Sequence, residues 1–339
     1  MNKKAKKVDE LLKLAAGKRH ALIMPHNYAD PDAIAAALAL KVIFEAKLGL
    51  ISTIAFDGVV GRQENEVLIE VLSIQVSPAS SIVFDDYDLI ALVDCQPGTG
   101  NNALPGTIRP DVIVDHHSSE GVTKGVPFLD IRDDVGASST IAAEYLIDSG
   151  VDISPDLAAA LVYGIKTDSL NLAVKTRKKD IEAYLHLFPL ADKEKLKAIE
   201  SAQLPTEYFA ALNDAIEGAF VYDHIVVADL DNVDNPGLIG EFADLFLRLI
   251  GAETSLCFGV FDEILMISIR TMDSRLHAGR IIKYAVEERG TAGGHASMAG
   301  GQIPLIKETQ KEKREHIKAI KDRVLSMLDI EGKRGKRII

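Results

Sequence analysis

Ala21-Leu22-Ile23-Met24-Pro25-His26-Asn27-Tyr28-Ala29-Asp30-Pro31-Asp32 is the stretch from which the rest of the chain is read. Ala21 to Met24 is an apolar run short enough for a buried strand, and it gives way almost at once to a polar cluster. One imidazole and two carboxylates then share a tight loop that opens an apolar helix over Ala33 to Ala46. Strand, polar loop and helix in that order are the start of a βαβ unit, the building block of a parallel sheet.

The same pattern recurs downstream. Asp88 to Val93 reads as a strand ending at Asp94, and Asp111 to Val114 as a strand ending at Asp115-His116-His117. Ligands of open α/β sheets sit beyond the carboxyl ends of the strands, so polar residues there are placed for chemistry rather than packing. Helices over Ser139 to Ser149 and Pro155 to Lys166 follow, the second with Ser154 as N-cap and Pro155 at its first position. Gly164-Ile165-Lys166-Thr167-Asp168 then places another carboxylate just behind that helix.

The expected fold class is α/β: an N-terminal, mostly parallel β-sheet flanked by helices, plus a smaller C-terminal α+β domain. A charged helical stretch from about Lys178 to Tyr208, punctuated by Pro189 and Pro205, reads as the connector. The second half opens with a strand near His224–Ala228 and a helix after Asn235-Pro236-Gly237. Strands near Ser255–Val260 and Ile264–Arg270 follow, joined as a hairpin by Phe261-Asp262-Glu263. A helix near Leu276–Arg289 leads to a glycine-rich loop over Gly290–Gly301, a strand over Gln302–Ile306 and a charged terminal helix. The expected divisions are residues 1–185, 186–207, 208–330 and a basic tail, 331–339, that stays solvated and mobile.

Composition narrows the function. A chain of 339 residues, 47% hydrophobic and 26% charged, is long enough for two buried cores and too ordinary for a fibrous or disordered protein. Its net charge of −12 repels a phosphate backbone, which excludes general affinity for duplex DNA and leaves phosphorylated groups to be captured locally. Cys95 and Cys257 are the only cysteines, so neither a disulfide framework nor a thiolate zinc site is supported and a reducing cytoplasm is expected. The lysine-rich start runs into an amphipathic helix, Val8 to Ala16, rather than a secretory leader, and no run is long enough for a membrane span. The expected oligomer is the commonest one, a homodimer.

Asp30, Asp32, Asp94, Asp115 and Asp168 with His26, His116 and His117 would repel one another if gathered bare. Divalent cations resolve that conflict. Oxygen-rich sites with some imidazole and no thiolate favour Mn²⁺ or Mg²⁺, with Fe²⁺ or Co²⁺ as substitutes. Two ions about 3.5–4 Å apart, bridged by a carboxylate and a water, generate hydroxide near neutral pH and clamp the attacking and leaving oxygens of a phosphoryl centre. Any one of these residues alone is more simply read as a cap or a core residue. Their ordered combination is what carries the chemistry.

That combination, H-x3-D-x-D, an isolated strand-end Asp, D-H-H and G-I-x-T-D in order, resembles the four motifs of the DHH phosphoesterase superfamily. Gly293-Gly294-His295 with Ala299-Gly300, and Arg270 upstream, is similar to the glycine signature of the C-terminal domain in RecJ-like, nanoRNase and pAp-phosphatase members. The resemblance implies a two-domain metallophosphoesterase with its active site in the interdomain cleft. It implies that His26 and Asp30 hold one Mn²⁺, that Asp32, His116 and Asp168 hold the other, and that Asp94 bridges them. Asp115 then fixes an imidazole tautomer, His117 donates to a phosphoryl oxygen, and Arg270, Gly293, Gly294 and His295 bind substrate. Ala292, Ser169-Leu170 and Ala29 depart from the commoner pattern around these residues and bear on substrate choice more than on metal binding.

The function expected is Mn²⁺-dependent hydrolysis of short phosphorylated nucleotides (nanoRNA, linear dinucleotides or 3′-phosphoadenosine 5′-phosphate) by a metal-bridging hydroxide. The alternative substrate is inorganic polyphosphate or pyrophosphate. The alternative from another class is a nucleotide-sensing module without turnover, or an acidic scaffold whose histidines are structural.

Overall fold

The opening apolar run becomes β1 (His20–Met24), near the centre of a six-stranded parallel sheet. The others are β2 (Ile51–Phe56), β3 (Val76–Pro78), β4 (Leu89–Val93), β5 (Val112–Asp115) and β6 (Phe128–Ile131), in the order β3-β2-β1-β4-β5-β6. The computed structural model describes residues 6–118, 122–173, 176–294, 296–306, 309–330, 332 and 334–339. Contacts divide the chain into two units, Met1–Ala202 and Gln203–Ile339.

The helices of the first unit are α1 (Lys7–Ala15), α2 (Pro31–Leu48), α3 (Gln63–Val71), α4 (Ser138–Ser149), α5 (Pro155–Asp168), α6 (Lys178–Leu187) and α7 (Lys193–Glu200). Every residue of β4 and β5 is buried, as expected of parallel strands covered on both faces. Ala21, Ile23, Ala91, Val93, Val112 and Val114 share one core with α1, α2, α4 and α5. Leu22, Met24, Ile90, Leu92 and Ile113 face the irregular segments carrying Ile82, Phe84, Leu104 and Ile108.

Two details of α2 aim the site. Asp30 caps it by accepting from Ala33 N at 3.0 Å, with Pro31 pre-set at the first position. Gly164 of α5 lies against its start, where a Cβ would stand 3.1 Å from both Asp32 Cα and Pro31 O and 2.5 Å from Ser139 Oγ. A side chain at 164 would hold the end of α5 away from the first motif.

The strand order shows where a ligand belongs. The chain steps outward from β1 to β2 and β3, then returns to lay β4 on the other side of β1. The crevice above such a reversal, at the carboxyl ends of β1 and β4, is the binding position of doubly wound sheets.

The second unit contains β7 (Phe220–Tyr222), β8 (Ile225–Asn232), β9 (Thr254–Phe261), β10 (Ile264–Thr271), β11 (Thr291–Gly294), β12 (Met298–Pro304) and β13 (Lys336–Arg337). They form a sheet of order β11-β12-β10-β9-β8-β7-β13, antiparallel except between β8 and β9. Its helices are α8 (Thr206–Glu217), α9 (Gly237–Phe246), α10 (Ala278–Val286) and α11 (Gln310–Met327). Leu265, Ile267 and Ile269 pack with α10 and α11, while Val226, Ala228 and Cys257 pack with α8 and α9 on the opposite face. Asp262 and Glu263 both have positive φ, 48° and 63°, the type I′ geometry of a tight hairpin between β9 and β10.

Several expectations change. The units divide between 202 and 203, because α7 buries Leu196 and Ile199 in the first core instead of serving as connector. The glycine-rich loop is a hairpin: Thr291, Ala292, Gly293 and Gly294 of β11 pair with Gln302, Gly301, Gly300 and Ala299 of β12. Asp168 is the last residue of α5 rather than a residue beyond it. The basic tail, of which Glu331 and Lys333 lie outside the described residues, is no free end either. Lys336 and Arg337 pair with Val221 and Phe220, and the missing Cβ of Gly335 makes room for the Tyr222 ring.

Candidate metal centre

His26, Asp30, Asp32, Asp94, Asp115, His116, His117 and Asp168 converge at the carboxyl ends of β1, β4 and β5. Three groups of ligand atoms, each within 4.8 Å of one another, overlap there: His26, Asp30 and Asp94; Asp94, His116 and His117; and Asp32, His116 and Asp168. Asp94 and His116 each belong to two groups, so the groups form one continuous site.

Local structure explains each position. His26 Nδ1 lies 2.8 Å from Asn27 O, an acceptor, so Nδ1 donates there and Nε2 is turned towards Asp30 at 3.7 Å and Asp94 at 3.5 Å. Asp94 leaves β4 in the left-handed region at φ 58°, which aspartate tolerates better than most side chains, while its N–H still bonds Val114 O at 2.9 Å. Its carboxylate is 2% exposed and meets His116 Nε2 at 3.3 Å and the Ser138 hydroxyl at 2.9 Å. Asp32 lies at the N-terminus of α4, where Ser138 N and Ser139 N donate to its two oxygens, each at 2.7 Å.

Beside these, Asp115 Oδ1 accepts from the His117 ring at 2.8 Å and from His117 N at 3.1 Å, while Gln96 Nε2 donates to Oδ2 at 2.7 Å. The His117 imidazole is thereby fixed through Nδ1. Gln96, Ser138 and Ser139 were missed in the sequence. The signal for the serines was the polar turn Asp133 to Thr140, set between a strand and a helix as the first motif is.

Electrostatics show what this arrangement lacks. Burial opposes the charged form of His26, yet Asp30 and Asp94 outweigh it and hold the pKa up at about 10. Burial likewise opposes His116, but Asp168 and Asp94 raise it to about 9. Burial and the Asp168 charge raise Asp32 to about 7; burial and the Asp32 and Asp30 charges push Asp94 well up. Protons are thus drawn in to relieve the repulsion. His116 Nε2 is the test of whether protons suffice: buried, it lies 3.1 Å from Asp168 Oδ2 and 3.3 Å from Asp94 Oδ1, yet neither contact has the geometry of a hydrogen bond. A buried nitrogen that faces carboxylates from two elements without hydrogen-bonding to them fits a hard divalent cation.

In the second unit Arg270 projects from β10 towards α9. Its Nε donates to Asp244 Oδ1 at 2.7 Å and its Nη1 to Ser268 Oγ at 2.7 Å. Met298, partly exposed, is its cross-strand neighbour on β12. Gly293 and Gly294 are exposed on β11. His295 lies outside the described residues.

The DHH family, N-terminal domain, matches residues 20–165, and the DHHA1 domain matches residues 223–326. The chain carries a DHH domain followed by a DHHA1 domain. Asp168 stands just beyond the DHH match, and Arg270, Gly293 and Gly294 fall within DHHA1. An uncharacterized protein of Methanocaldococcus jannaschii is 32% identical over 321 residues, 93% of this chain and 65% of that protein. A probable manganese-dependent inorganic pyrophosphatase of Lactiplantibacillus plantarum is 26% identical over 175 residues, 50% of this chain and 55% of that one. The chain thus spans between half and two thirds of these relatives' lengths. The fold is shared with an exopolyphosphatase-related protein from Bacteroides fragilis, at TM-score 0.72 and 14% identity, covering 94% of this chain and 96% of that one. Among the described residues, no helix is long and apolar enough to cross a membrane.

Proposed function

We propose that this DHH protein is a divalent-metal-dependent phosphohydrolase that cleaves short phosphorylated nucleotides, with two Mn²⁺ as its cofactors. The observation that carries the reading is the buried His116 Nε2 at the β1/β4 reversal, facing the Asp94 and Asp168 carboxylates without a hydrogen bond to either. His26 and Asp30 would hold one ion, Asp32, His116 and Asp168 the other, and Asp94 both. Bound there, the ions supply positive charge that acidifies water and offsets the charge on phosphoryl oxygens.

The chain's own groups do the rest. Asp115 holds the His117 ring by Nδ1, and the raised pKa of His117, where that bond outweighs burial, keeps a proton available at Nε2 for a phosphoryl or leaving oxygen. Arg270, steadied by Asp244 and Ser268, presents the rest of its guanidinium to a terminal phosphate. Met298 beside it gives an apolar surface suited to a sugar or base next to that phosphate, which favours a nucleotide over a bare polyanion.

Inorganic pyrophosphate is the second reading, favoured by the similarity to the pyrophosphatase relative across half the chain. Product identification with purified protein and Mn²⁺ separates the two. Nucleoside monophosphate or orthophosphate released from short RNAs and phosphorylated nucleotides supports the first. Orthophosphate released only from pyrophosphate or polyphosphate supports the second, and no product from any substrate contradicts both.

A further inference from the structure

Behind the metal centre lies a buried carboxylate that the proposed reaction does not use. Asp180, in the first turn of α6, is fully buried, yet its oxygens are satisfied. Gly136 N stands 2.9 Å from both, the Thr140 hydroxyl donates to Oδ1 at 2.6 Å, and Arg177 N donates to Oδ2 at 2.6 Å. A buried carboxylate with no such partners is strongly disfavoured. Here one anion is shared between the N-terminal ends of α4 and α6, where backbone N–H groups and both helix dipoles favour it.

The groups that Asp180 grips are not arbitrary. Gly136 and Thr140 bracket Ser138 and Ser139, whose amides hold both oxygens of Asp32, and the Ser138 hydroxyl holds Asp94. We propose that Asp180 is a positioning residue of the metal centre: it fixes the first turn of α4, and that turn aims Asp32 and Asp94. The inference rests on reading the cluster as a two-cation site. It also ranks the ligands. Asp32 depends on this turn for both oxygens and Asp94 for one, whereas Asp30 is held by Ala33 of α2, so the Asp32–His116–Asp168 group is the more exposed to its loss.

The test is a Mn²⁺ titration of metal-free full-length protein, with free ion followed by electron paramagnetic resonance. Asp180→Asn keeps the shape but sets an amide donor against the N–H groups of Gly136 or Arg177. Its expected result is a loss of affinity of about tenfold to hundredfold at one of two binding phases, the scale typical of groups that support metal ligands, with the other phase, reached only through the single Ser138–Asp94 bond, weakened much less. Thr140→Val should shift the same phase and Thr140→Ser should restore it; that pair decides the matter if Asp180→Asn does not fold.

Wild-type affinity at both phases in Asp180→Asn and Thr140→Val would overturn the assignment. So would a Thr140→Ser protein no better than Thr140→Val, or both phases weakening in step with the melting temperature of the metal-free variants, since either marks a general packing role. Wild-type protein that binds no manganese would overturn the metal-centre reading itself, and the role of Asp180 with it.

Discussion

The carboxyl edge of the first unit's sheet and the glycine hairpin of the second are both places where the sequence concentrates unusual residues, but they are built in opposite ways. At the first, backbone pairing stops and side chains take over. Asp94 turns left-handed, His116 Nε2 makes no hydrogen bond, and acids accumulate until burial and mutual repulsion raise Asp32 and Asp94. At the second, side chains are nearly absent and the backbone stays paired, Gly293 with Gly300 and Gly294 with Ala299. One region is specified by charge and the other by how closely chains approach. Mutations should therefore fail differently in the two.

The largest effect belongs to the charged edge. Asp94→Ala should reduce Mn²⁺-dependent turnover by roughly a thousandfold or more and weaken both binding phases, because two of the overlapping ligand groups lose their common member. Steady-state kinetics and equilibrium dialysis check this, and near wild-type turnover would remove the site from consideration.

Next is the dependence of stability on pH. His26 and His116, raised to about 10 and 9, contribute stability to the metal-free protein that is present below pH about 6.5 and lost as pH climbs through those values. Asp32, raised to about 7, contributes stability lost between its unfolded value of 3.8 and 7. Cations displace these protons, so the gain in melting temperature on adding Mn²⁺ should widen from pH 6 to pH 9. A constant gap would mean that the ions bind elsewhere.

The paired region should give smaller effects. Arg270→Ala should raise KM about tenfold to hundredfold, the value of a charge-assisted contact, with kcat little changed. An effect on kcat alone would place Arg270 in the chemistry instead of in capture. Gly294 has φ 144° and a Cβ there would stand 2.4 Å from Ala299, so Gly294→Ala should destabilise the protein by about 1–3 kcal/mol. Nothing lies within 4 Å of a Cβ at Gly293, so Gly293→Ala should stay within about 0.5 kcal/mol in thermal melts. Equal losses at the two glycines would show that strand pairing does not discriminate between them.

Legibility from sequence followed the same division. β1, β4 and β5 were readable because they are continuous apolar runs that end abruptly at charge, and the acids and imidazoles at their ends are what the structure gathers. β3 and β6 were not, being edge strands of mixed composition: β6 buries Phe128 and Asp130 but leaves the alternate positions less covered. The hairpin of β11 and β12 was read as a loop because glycine suggests a turn; the pairing comes from tertiary contact, with Gly290 and Gly294 passing too close to β12 for any side chain. Asp180 and the Ser138 turn escaped notice for a related reason. Their partners lie about forty residues apart or more, and no local period announces a helix N-terminus that will hold another segment's carboxylate.

Diffraction at the manganese absorption edge from crystals grown with Mn²⁺ tests the central claim most directly. The expected result is two anomalous peaks among His26, Asp30, Asp32, Asp94, His116 and Asp168, with Asp94 touching both. Peaks elsewhere on the surface, or none in a well-ordered site, would contradict it.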